Sequence, residues 1–276
     1  KYDRKGILLW EKEYDGGYAG PGVSSLDVPT ELGFDSRGNI YVAGTSRGFS
    51  YETNTPTYDD FVLLKYDRLG NQLWVQRYNG SGNSTDQVKG IGVDALDNVY
   101  ITGPSWNAKG DFDYVTQKYS SSGQLIWTSI QDNGQWDVSA GVAVDASGVY
   151  VSGYGIFLVP PFSSVYNTDY YTLKLDLASG NVIWFQRYDQ GNSFSDYGTE
   201  IVLDHLGNVI VSGNSSSPLG QGLDYATVKY DSQGNQVWVQ RYNGPSTGPI
   251  KDDIPFALGV DSQNNVVVTG VSWGTT

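Results

Sequence analysis

The chain contains no cysteine, no methionine and only one histidine. The first absence excludes disulfides, metal thiolates and cysteine nucleophiles together. With methionine also missing, both oxidation-prone side chains are gone, which suits an exposed, hot or oxidising setting. Basic residues are few: 17 Lys and Arg against 30 Asp and Glu leave a net charge of −13 and a pI near 4.3. So acidic a surface repels phosphate backbones and excludes nucleic acid as a partner. No apolar run reaches the roughly 18 residues that read as a membrane span. There is no Ser/His/Asp set, no glycine-rich phosphate loop leading into a helix and no histidine cluster for zinc. No cleavable signal precedes the mature-looking start at Lys1.

What is abundant is glycine (35) and tyrosine (21), the composition of short strands joined by tight turns. At 276 residues the chain can bury a core as one all-β domain spanning 1–276. Five tryptophans, Trp10, Trp74, Trp127, Trp184 and Trp238, each end an apolar run shortly after a glycine-containing turn. Self-similarity at a period of some tens of residues, in strand-rich sequence, marks a stacked or radial array of one supersecondary unit.

Aligned on the tryptophans, each unit shows four short alternating strands. The first resembles Lys89–Asp94, the second Val99–Gly103, the third Asp113–Tyr119, and the fourth, carrying the tryptophan, Asn235–Tyr242. Turns such as Asp35-Ser36-Arg37-Gly38-Asn39 and Asp231-Ser232-Gln233-Gly234-Asn235 link them. The aspartate accepts backbone N–H groups there, and glycine or asparagine supplies the positive φ. His205 lies inside one such turn, which makes it turn hardware.

Four antiparallel strands per unit, repeated five times, predict a five-bladed β-propeller. The runs Asp35–Gly44 and Asp224–Asp231 resemble the SBBP β-propeller repeats of bacterial and archaeal proteins. That resemblance implies a propeller of extracellular or cell-surface type without assigned chemistry. The family name suggests seven blades, whereas the residues count five. Blades are expected at about 27–79, 86–132, 137–189 and 196–243, with 1–26 completing 252–276 so that the two half-blades close the ring. Most of one third strand is missing between Thr276 and Lys1. It lies outside these residues, or the last blade is incomplete, or another chain adds it.

Connections alternate between two ends of the blades, and the variable loops gather at one of them, where function is expected. Trp106, Trp136, Tyr154, Trp273 and Tyr51 are the candidate ligand-binding residues there, aromatics beside small polar groups that suit a sugar or a protein partner. Asp27, Asp86, Asp137, Asp196 and Asp253 recur where each innermost strand begins. They either ring the channel mouth and hold a hard cation such as Ca2+, or each caps its own loop. No other cofactor is required. Asn79, Asn83 and Asn214 head glycan-acceptor triplets.

Acid–base catalysis needs groups in different environments, and the five aspartates share one. Only Glu31, Glu200, Glu52 and Trp136 break the symmetry. The expectation is a non-catalytic extracellular or cell-surface module that contacts a surface protein or polysaccharide, or associates with itself. The alternative is a five-bladed, glycosidase-like enzyme using Asp27, Glu31, Asp196 and Glu200.

Overall fold

In the hairpin turns the aspartate organises the backbone within five residues. Asp35 Oδ1 accepts the N–H of Arg37 at 3.0 Å and of Asn39 at 2.8 Å, and Gly38 takes φ 77°. The same bonds recur at Asp67, Asp94, Asp204, Asp231 and Asp261. A turn closed this way brings the flanking alternating segments together as antiparallel neighbours.

The computed structural model describes residues 1–16, 26–50, 55–158, 166–191, 195–216, 222–245 and 252–272. Among them every regular element is a β-strand. The first sheet runs β1 (Asp27–Phe34), β2 (Ile40–Ser50), β3 (Thr55–Tyr66), β4 (Gln72–Tyr78), and the second β5 (Gly90–Val93), β6 (Val99–Trp106), β7 (Phe112–Tyr119), β8 (Leu125–Gln131). The third is β9 (Asp137–Asp145), β10 (Gly148–Leu158), β11 (Tyr166–Leu175), β12 (Val182–Tyr188). The fourth is β13 (Asp196–Leu203), β14 (Val209–Ser216), β15 (Leu223–Tyr230), β16 (Gln236–Tyr242). The last sheet has two strands, β17 (Asp253–Val260) and β18 (Val266–Ser272).

Pairing within each sheet is antiparallel and follows chain order. The first strands touch one another in succession, β1 to β5 to β9 to β13 to β17, so the sheets fan out from a common axis. Successive sheets pack face to face. Tyr41, Phe61 and Leu63 of the first meet Val99, Ile101 and Val115 of the second, and the next two interfaces repeat this arrangement.

Four of the five recurring tryptophans lock their outer strand to the following sheet. Trp74, Trp127 and Trp184 donate their indole N–H to the carbonyls of Ser121, Leu177 and Ser232 at 3.2 Å, and each ring lies over the glycine of that turn. Trp10 does the same to Arg68 and Gly70. These rings mark scaffold, as the repeat implied.

The two chain ends do not pair with each other among the described residues. Tyr2 bridges Leu8 within the N-terminal segment, and β18 pairs with β17. The second-to-third connections also differ from expectation. Much of Ser46–Asp59 and Tyr154–Thr168 is strand, because β2–β3 and β10–β11 continue their ladders well past the sheet body.

Candidate functional site: the loop-bearing face

Each second strand runs from a turn at one end of its sheet to a loop at the other, and β6 delivers Trp106 to the loop end. There Trp106, Phe112 at the start of β7 and Trp136 just before β9 form an aromatic trio. Ring centroids lie 4.8 Å apart for Trp106–Phe112, 6.0 Å for Trp106–Trp136 and 5.6 Å for Phe112–Trp136, all edge to face. Such geometry places ring edges against ring faces, as the aromatic quadrupole favours. Trp136 remains 45% exposed.

Polar groups surround the trio. Asn107 Oδ1 accepts the N–H groups of Lys109 at 2.8 Å and Gly110 at 3.1 Å, and its amide donates to Asp113 Oδ1 at 2.8 Å. This fixes the short 107–111 connection without a long loop. Lys109 pairs with Asp132, which is held below the usual carboxylate range by that bond. Asp113 is pushed up, chiefly by burial. Asp111 Oδ1 is buried and has no hydrogen-bond partner. A buried acceptor left unpaired is costly.

Trp106 and Trp136 therefore converge across two sheets, while Phe112 was not singled out in the sequence. Its signal was slight: an aromatic between Asp111 and Asp113 at the entry to a third strand. Tyr154 is half-buried in β10 and packs edge to face on Tyr197 at 5.0 Å, so it belongs to the interface between sheets. Tyr51, Glu52 and Trp273 lie outside the described residues.

The five recurrent aspartates all sit at the entry to a first strand, and each meets its own preceding loop. Asp27 accepts from Gly16 N at 3.0 Å, Asp86 from Gly80 N at 2.7 Å, and Asp137 from Asn133 N at 2.6 Å. Asp196 accepts from Gln190 N at 2.9 Å, and Asp253 from Gly244 N at 2.6 Å. Second-strand serines add Ser46 to Asp27 and Ser215 to Asp196. Burial pushes Asp137 up to about 7 and Asp196 to about 6, against the opposing pull of these N–H and O–H donors. Asp196 also converges with Asp169 and Asp189 within 4.8 Å, and Arg187 pairs with both of those partners. The guanidinium thus supplies the countercharge that a cation would bring to this cluster.

Along the inner wall, Glu31 on β1 and Glu200 on β13 have raised carboxyl pKa values, each chiefly through burial. The charge of Glu31 also contributes to the rise at Glu200, so the two lie within electrostatic reach of each other. Of the glycan-acceptor candidates, Asn79 and Asn83 are exposed and bonded to each other at 2.7 Å. Asn214 is a strand residue of β14 with a buried amide oxygen.

Two segments, residues 18–50 and 73–111, match the SBBP family of beta-propeller repeats. Over 256 residues the chain is 25% identical to an uncharacterized WD repeat-containing protein of Acanthamoeba polyphaga mimivirus, covering 83% of this chain but 16% of that protein. Among solved structures, BamB from Moraxella catarrhalis aligns with a TM-score of 0.46 at 15% identity, over 89% of this chain and 66% of that one. A GH43 beta-xylosidase/alpha-arabinofuranosidase from a compost microbial metagenome aligns at 0.44 and 9% identity, over 88% and 94% respectively. Likenesses this distant assign no activity.

Proposed function

We propose that this chain, whose residues 18–50 and 73–111 are SBBP beta-propeller repeats, is a five-bladed, non-catalytic interaction module of the cell surface or extracellular space. Its partner is a glycan or surface protein taken up on the loop-bearing face. The observation that carries this reading is the Trp106–Phe112–Trp136 trio, whose Trp136 indole is half-exposed. An aromatic face takes the apolar side of a sugar ring or of a side chain. Five blades are supported by the inner wall. Glu31 and Glu200 stand on sheets separated by two others in chain order, yet the charge of Glu31 contributes to the raised pKa of Glu200, which supports an array that curves.

The test is binding to a polysaccharide and surface-protein panel by calorimetry. Trp136→Ala is expected to weaken binding at least tenfold while the chain still unfolds cooperatively, with the melting temperature lowered only by the lost contacts to Trp106 and Phe112. Binding that survives the substitution overturns this site.

The Glu31–Glu200 pair gives the enzyme alternative one specific footing, because two carboxylates with raised pKa values share an inner wall. Glycosidic turnover on that panel, abolished by Glu200→Gln or Glu31→Gln, would replace the non-catalytic reading. Absence of turnover in the unaltered chain supports it.

A further inference from the structure

Charge is unevenly spread over this acidic chain. More than half of its 17 lysines and arginines fall before residue 78. The hairpin turns sharpen the contrast. Arg4 and Lys5 sit in the turn Asp3-Arg4-Lys5-Gly6, Arg37 in Asp35-Ser36-Arg37-Gly38, and Arg68 in Asp67-Arg68-Leu69-Gly70. The remaining turns, from Asp94-Ala95-Leu96-Asp97 to Asp261-Ser262-Gln263-Asn264, carry no lysine or arginine. All four turn cations are exposed, the Arg37 side chain at 79%.

Tertiary contacts set these three turns side by side. Trp10 donates its indole N–H to the Arg68 carbonyl at 3.0 Å, and Lys1 Nζ donates to the same carbonyl at 3.3 Å. The Arg68 side chain runs across the next turn, its Cδ 3.2 Å from where a Cβ on Gly38 would stand. Beyond it, Ser36 donates its backbone N–H to Asp97 Oδ1 at 2.7 Å, and Arg37 Nε lies 3.9 Å from Asp97 Oδ2. The turn holding Leu96 thereby joins the group. The carboxylates here are engaged locally. Asp3 and Asp67 accept the N–H groups of their own turns, while buried Asp35 pairs with Lys65 at 3.0 Å.

Two leucines stand among these cations. Leu69 is 77% exposed beside Arg68, and Leu96 is 80% exposed beside Asp97. Neither turn needs an apolar residue there, because Gln233 and Gln263 hold the corresponding places and make the same backbone bond to their aspartates. A single exposed leucine needs no explanation. Two at turn tips, flanked by four cations, give a surface that is basic and apolar together. Guanidinium and ammonium groups pair with phosphate oxygens, while leucine gains by leaving water for an acyl boundary. A soluble polyanion would reward the cations and not the leucines.

We propose that this turn face docks on an anionic lipid surface. Arg4, Lys5, Arg37 and Arg68 meet the headgroups, and Leu69 and Leu96 enter the interface. The net charge of −13 resides largely on the later sheets, and salt screens charges beyond about 8 Å, so docking tilts onto the first sheet. Second strands run from the turn end to the loop end, so the loop-bearing face stays open to its own partner. The inference is independent of the reading given for that face.

The test is co-sedimentation of the whole chain with vesicles of phosphatidylcholine alone and of equal parts phosphatidylcholine and phosphatidylglycerol. Binding is expected on the anionic vesicles only and is expected to weaken as salt rises. Arg37→Ser/Arg68→Ser is expected to weaken it about tenfold, the loss of two basic contacts near an anionic leaflet. Leu69→Gln/Leu96→Gln is expected to weaken it by about tenfold as well. Both pairs install side chains that sister turns already carry, at Ser147, Ser121, Gln233 and Gln263, so the melting temperature is expected to hold. No binding to the anionic vesicles, or equal binding to both kinds, overturns the proposal. So does full competition by dextran sulfate with no effect of the leucine pair, which would make the face a polyanion site. Panel binding on the loop-bearing face is expected to be unchanged in both variants, so the two readings fail separately.

Discussion

At the scale of single residues, Asp204 on one side and Asp137 and Asp196 on the other are shifted in opposite directions by their surroundings. In the turns, burial of Asp204 is outweighed by hydrogen bonds from Lys229, Asn208 and the backbone, which hold it down to about 2. At the entries to β9 and β13 burial wins, raising Asp137 to about 7 and Asp196 to about 6. A lowered folded pKa contributes stability above the unfolded value near 3.8 that is lost as pH falls toward 2. A raised one contributes stability below 3.8 that is lost as pH climbs through 6 to 7. The melting temperature is therefore expected to be higher at about pH 5 than at about pH 8. Asp137→Asn, which mimics the protonated form, should narrow that gap by calorimetry. Equal melting temperatures at both pH values would contradict the assignment.

At the scale of the element, the blade depends on close approach between first and second strands. A Cβ on Gly103 would meet the Gln87 carbonyl and the Phe61 ring, and Gly44, Gly213 and Gly270 face the same obstruction from Val28, Tyr197 and Ile254. A glycine-to-alanine change in relaxed backbone gains about 0.4–1 kcal/mol by restricting the unfolded chain. Here overpacking reverses the sign. Gly103→Ala is expected to destabilise by about 1–3 kcal/mol in denaturant titration. This recurrent glycine was legible in the sequence as the end of each second strand. Its reason, a carbonyl from the neighbouring strand, was not, because that needs the register shift beside Pro29 and Glu31 and its counterparts.

At the scale of the whole molecule, curvature of the sheet array brings together residues that no local pattern connects. The charge of Glu31 on β1 contributes to the raised pKa of Glu200 on β13. A double-mutant cycle of Glu31→Gln and Glu200→Gln at neutral pH should show coupling of about 0.5 kcal/mol or more, because either single change removes the same repulsion. Strict additivity would mean that the inner strands diverge.

The residue order alone determined the parts whose physics is local. Asp-x-x-Gly-Asn turns close on hydrogen bonds within five residues, alternation assigns strands, and the tryptophans repeat because four of the five, Trp10, Trp74, Trp127 and Trp184, make the same contact with the next unit. Tertiary structure decided what depends on distant partners. It turned the recurrent aspartates toward their own loops, drew Tyr154 into a sheet interface and assembled Trp106, Phe112 and Trp136 from two blades. It also set the cations of three separate turns side by side. Burial and desolvation arise only when sheets stack, so no spacing along the chain encodes them.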